Sequence, residues 1–147
     1  GDVSGATAAS TTNPGVDLLT TLGLAVASPI NYGTLSMGST TESYNPTTTV
    51  WNTGNTAIDL LMSGTDLFAG ARTIGVNNQI YATSSFDYLT CSFCQTLASS
   101  AALFAVNIPR PSSTNYPTTT VYWGFQVPFG SAGELHTGQN IFTATVH

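Results

Sequence analysis

Charge is the scarcest commodity in this chain. Asp, Glu, Lys and Arg together make up 6% of its 147 residues, against about a quarter in an ordinary globular domain. Lysine is absent, and the two arginines, Arg72 and Arg110, leave a formal net charge of −5. Nucleic-acid affinity comes largely from Lys and Arg neutralising phosphates, so a nucleic-acid partner is excluded on composition. An anionic membrane surface is disfavoured for the same reason. No apolar run approaches the 18 or so residues of a membrane-spanning helix, so membrane insertion is not expected. Disorder combines low hydrophobicity with high charge. Here 41% of residues are hydrophobic and the missing charge is replaced by Ser and Thr.

Catalytic and metal-binding signatures are equally sparse. No serine sits in a G-x-S-x-G turn. The seven acids, Asp2, Asp17, Glu42, Asp59, Asp66, Asp87 and Glu134, form no motif of paired carboxylates. Two cysteines, Cys91 and Cys94, form C-S-F-C. Such a pair serves redox chemistry, half a zinc site or a local disulfide. A redox pair wants a helix N-terminus in a βαβ unit, and a structural zinc wants four ligands. The context supplies neither, so a disulfide is the preferred reading, and with it an oxidising, extracellular compartment. His136, two residues after Glu134, reads as a solvated loop histidine, and His147 carries less weight still. No cofactor is expected. Calcium at Asp66, beside Gly64, is the one metal candidate, without a D-x-D-x-D-G run to support it.

What the chain does contain is alternation. Residues 1–17 are small and polar and read as an arm or linker, and a processed or excised chain would suit the start at Gly1. Residues 18–147 read as one domain, long enough to bury roughly 70% of its unfolded surface. Leu22, Leu24 and Val26 fall on one face of an extended segment, which Pro29 stops. Thr47 to Trp51 are β-branched or aromatic and read as a strand. Asn52–Asn55, "NTGN", is expected to be a hairpin turn returning into Thr56–Ser63, with Ile58, Leu60 and Met62 on one face and Asp59 and Leu61 on the other. Further strands are expected near 79–89, 96–108, 118–127 and 140–146, separated by turn clusters, with "PRPSSTNYP" as a loop. The fold class is therefore all-β, a two-sheet β-sandwich of about seven to nine strands with an N-terminal extended arm.

Two stretches carry a resemblance. "INYGTLSMGSTTESYNPTTTVWNTGNTAIDLLMSGTDL" (30–67) resembles the first half of immunoglobulin-like β-sandwich modules of prokaryotic cell-surface proteins. "VPFGSAGELHTGQNIFTATV" (127–146) is similar to their closing hairpin. Together they cover under half the chain, and they rest on turn chemistry plus alternation. The longer linker at Tyr44–Asn45 before Pro46 departs from the pattern and leaves the register over 38–46 open. The resemblance implies an immunoglobulin-like fold and the trades of that family: fibres, coats, adhesins and accessory modules. Within such a fold Trp51 and Trp123 are expected in the core.

Three functions compete on this reading. The first is a structural subunit of a surface filament, pilus or coat, associating with copies of itself by β-strand donation. Leu18, Leu19, Leu22, Leu24 and Val26, within segment 18–28, are its candidate self-association strand. The second is an adhesion or carbohydrate-binding module that stacks glycans on exposed tyrosines. The third, an enzyme, has no candidate nucleophile, base or metal site. The first is the expectation carried forward.

Overall fold

Period-two burial lays down two facing sheets in the computed structural model, which describes residues 15–16, 18–27 and 29–147. Its strands, in chain order, are β1 (Leu24–Val26), β2 (Thr47–Asn52), β3 (Ile58–Gly64), β4 (Leu67–Ala69), β5 (Arg72–Ile74), β6 (Gln79–Ala82), β7 (Gln95–Thr96), β8 (Ala102–Ile108), β9 (Thr118–Phe125) and β10 (Asn140–Val146). One sheet has the order β1-β2-β9-β6-β7 and the other β10-β3-β8, while β4 and β5 form a separate small hairpin. Every pairing is antiparallel. The fold is an all-β sandwich, and its ten strands exceed the expected seven to nine because of β7 and the β4–β5 hairpin. Of the polar arm expected over 1–17, only Gly15 and Val16 lie among the described residues.

The core forms where the inward faces meet. Val50, Tyr81, Val121 and Trp123 from the first sheet pack on Ile58, Leu60, Met62, Phe104 and Ile108 from the second. Each such side chain contributes about 1.5–3 kcal/mol when removed from water. Tyr81 meets Phe104 edge-on at 4.9 Å and Trp123 at a tilt at 5.4 Å. The indole N–H of Trp123 donates to Thr48 Oγ1 at 2.9 Å, so the fully buried ring leaves no polar atom unpaired. The expected face of Ile58, Leu60 and Met62 is the buried one.

Four local expectations need correction. "NTGN" is not a hairpin turn: β2 and β3 belong to different sheets, and the segment carries the chain across between them. Asn52 explains why. Its side-chain amide donates to the carbonyls of Thr56, Ile108 and Pro109 at 2.8, 3.1 and 2.9 Å, which ties the crossing to the β8–β9 loop. The strand expected over 79–89 ends at Ala82. Beyond it the chain folds over the outer face of the first sheet, where Gly124, lacking a Cβ, admits the ring of Phe86. Asn45 holds that excursion, accepting the Phe86 N–H at 2.9 Å and donating to the Trp123 carbonyl at 3.1 Å. The strand expected over 96–108 divides into β7 and β8. Trp51 is the fourth correction: Val50 and Asn52 on either side point inward, so Trp51 faces outward and is half-buried while Trp123 is core.

Candidate functional site

Sandwich edges carry unpaired backbone, and two of them meet on one flank. β1 ends the five-stranded sheet and β10 ends the three-stranded one. The N-terminal strip is longer than β1 alone. Ala27 N–H donates to Thr49 O, Thr53 N–H to Gly23 O and Asn55 N–H to Thr21 O, all in one register with β2 and the turn beyond it. Asn55 clamps the strip further, accepting the Thr21 N–H and donating to the Leu19 carbonyl, both at 2.8 Å. Gly54 is required here, because a Cβ on it would collide with the Thr21 carbonyl oxygen. The glycine of "NTGN" therefore admits a neighbouring strand instead of turning a hairpin.

The structure divides the expected self-association strand in two. Leu24 and Val26 pack against the core from β1. Val16, Leu18 and Leu19 are 90%, 78% and 79% exposed, and Leu22 is also exposed. Ser28 falls outside the described residues.

On the β10 side, the Thr65 N–H donates to Gln139 O and the His147 N–H to Ala57 O. These bonds share the register that places Asn140 opposite Gly64 and Val146 opposite Ile58. Antiparallel alternation then turns the backbone groups of Asn140, Phe142, Ala144 and Val146 away from β3, off the open edge. Among the described residues none of them finds a backbone partner on that side.

Between the segment after β1 and the segment leading into β10 lies a groove of about 1180 Å³. Ile30, Leu35, Ile74, Phe125 and Phe142 give it an apolar lining. Tyr32 stacks on Phe125 at 4.8 Å and donates its hydroxyl to Gln79 Oε1 at 2.7 Å. Asn140 donates to the same oxygen at 2.8 Å, linking the two walls through one buried glutamine. Burial pushes the Tyr32 phenol well above its ordinary range, so it stays a neutral donor. The rim carries an exposed ion pair, Arg72 Nε to Glu134 Oε2 at 2.9 Å, which couples β5 to the 132–139 loop.

The remaining candidates sit elsewhere. Cys91 and Cys94 form a disulfide just before edge strand β7, with Cα atoms 5.7 Å apart. A loop so short gains about 2 kcal/mol at most from cross-linking, so its effect is local, beside the exposed Phe93. Asp66 Oδ1 accepts the Val76 N–H at 2.8 Å and caps the turn after β5. No three His, Cys, Asp or Glu side chains gather around a common point among the described residues, Asp66 included. His136 Nδ1 lies 2.9 Å from the Glu134 carbonyl oxygen, within its own loop.

His147, given least weight in the sequence, makes the more substantial contact. Its Nδ1 lies 2.8 Å from Asp59 Oδ2, while Asp59 Oδ1 accepts the Asn107 N–H at 2.8 Å. β8 bulges there, with Asn107 in the left-handed region at φ 45°. Burial works against ionising Asp59, but the Asn107 N–H and the His147 hydrogen bond and charge outweigh it and hold the carboxyl below its ordinary value. This is a structural pair closing a bulge. No family model, curated protein or solved structure matches the chain.

Proposed function

We propose that this protein is a non-catalytic extracellular structural subunit that associates with copies of itself into a surface filament or coat. The observation that carries the reading is the leucine-rich segment before β1, whose Val16, Leu18 and Leu19 the chain's own fold leaves in water. Apolar groups exposed in a row mark a surface that another surface covers. Charged side chains are also far fewer than on an ordinary soluble surface, with nine Asp, Glu, Lys and Arg in 147 residues (Lys+Arg 2, Asp+Glu 7). The disulfide fits an oxidising compartment.

A glycan-binding module is the less favoured alternative. Sugar stacking wants aromatics gathered on one face, and no two of the exposed rings, Tyr44, Phe68, Phe93, Tyr116 and Phe129, pair with one another among the described residues. Electron microscopy of the purified, oxidised chain at high concentration tests the reading. Regular fibres or lattices are expected, and a field of single particles at every concentration contradicts it.

A further inference from the structure

We propose that the groove between β1 and β10 is the acceptor for the apolar side chains ahead of Thr21, Val16, Leu18 and Leu19, of a second copy, added as an extra strand along β10. This rests on the self-association reading above and gives it a geometry. Its basis is that donor and acceptor lie at opposite ends of the sandwich.

The leucine segment is pinned at the end where β2 passes into β3: Leu19 and Thr21 are held by Asn55. The body of the groove, Ile30–Leu35 and Ala132–Gln139, lies past Val26 at the other end, next to Asn140 and Gly64. From Thr21 to Val26 the ladder advances about 17 Å at ~3.3 Å per residue. Leu19, Leu18 and Val16, two, three and five residues before Thr21, can reach back at most about 7, 11 and 18 Å from it, which leaves even Val16 short of a groove body that begins past Val26. The segment therefore cannot fill its own groove while the Thr21–Ala27 ladder stands. A second copy can fill it.

The chemistry matches at both levels. The lining of Ile30, Leu35, Ile74, Phe125 and Phe142 suits leucine side chains. The backbone groups of Asn140, Phe142 and Ala144, without a backbone partner on that side among the described residues, supply the main-chain bonds of an added strand. The groove volume of about 1180 Å³ exceeds the roughly 300–1,000 Å³ of small-ligand pockets. Arg72 and Glu134 at its rim neutralise one another, leaving no net charge to repel an apolar segment. A contact made between different ends of identical copies does not close on itself and grows head to tail.

Complementation tests this directly. One variant loses the donor (Leu18→Lys with Leu19→Lys) and another the acceptor (Leu135→Arg with Ile141→Arg). All four side chains are exposed, so both variants should fold, as circular dichroism and melting would check. Light scattering should find each variant alone as single chains, with association weakened at least tenfold. Their equimolar mixture should give heterodimers of twice the monomer mass and nothing longer, because one intact donor meets one intact acceptor. If both variants are single and the mixture is also single, donor and groove are not partners and the proposal fails. If the acceptor variant polymerises like the unmodified chain, the groove is wrong while self-association stands. If the unmodified chain is itself a monomer throughout, the reading beneath the proposal fails as well.

Discussion

Leu60 and Leu18 are the same side chain in opposite circumstances. Leu60 sits in the middle of β3, fully buried between the sheets among Ile58, Met62 and Phe104. Leu18 stands a few residues before β1, mostly in water, on a strip that Asn55 holds by its backbone while leaving its side chains free. In the interior the Trp123 indole, the Asn52 amide and the Asp59 carboxylate each find a partner, and among the described residues the Tyr81 hydroxyl is the one buried side-chain polar atom without one. The β1–β10 flank carries exposed leucines, the end strands of both sheets and an apolar groove. On the proposed function stability resides in the first region and recognition in the second, and changes in each should separate cleanly.

Trp123→Ala should have the largest effect. Removing a large buried aromatic costs about 3–5 kcal/mol, and Thr48 loses its indole partner too. Denaturant unfolding should show the loss, and a change under 1 kcal/mol would mean the two sheets do not pack as described. Asn52→Ala comes next. It strands the carbonyls of Thr56, Ile108 and Pro109, at about 1–3 kcal/mol for buried groups left unpaired. Asn55→Ala, on the same crossing, should cost less and should loosen only the strip, read as faster amide exchange at Thr21 with the β3 amides unchanged.

Acid sharpens the comparison next. The Asp59 carboxyl is held below its unfolded value near 4, so its stabilisation is complete above that pH and is lost as pH falls through the lower folded value. Asp59→Asn should therefore destabilise the chain at neutral pH and flatten the decline of stability below pH ~4. An unchanged acid profile would remove Asp59 from the account. The smallest effect belongs to the flank. Leu18→Lys with Leu19→Lys should leave unfolding stability within about 0.5 kcal/mol in dilute solution, and a larger loss would show those leucines packed against their own chain.

The sequence conveyed burial faces better than strand partners. Ile58, Leu60 and Met62 alternate in the chain and are buried as the alternation requires, because period two is a property of one strand by itself. Which strand lies beside which depends on residues far apart. "NTGN" satisfies the local chemistry of a hairpin, yet Asn52 reaches Ile108 and Pro109 and Asn55 reaches Leu19, and no local rule anticipates either. The excursion of Phe86 onto Gly124 was hidden for the same reason. The β4–β5 hairpin did leave a signal, "LFAGARTI", with Gly70 at φ 61° in its turn. Cys91–Cys94 was legible because the two partners are near neighbours in the chain and the sequence around them offers no βαβ unit and no further zinc ligands. The groove was not, since its walls, residues 30–35 and 132–142, lie about a hundred positions apart.

Sedimentation of the full chain beside a version lacking residues 1–20 tests the central claim most directly. The truncation spares the ladder from Thr21 to Ala27 and the whole sandwich, so both proteins should fold alike. The full chain should form particles that lengthen with concentration, and the truncated chain should sediment as a single copy throughout. Equal behaviour of the two, whether both assembled or both single, would contradict the account.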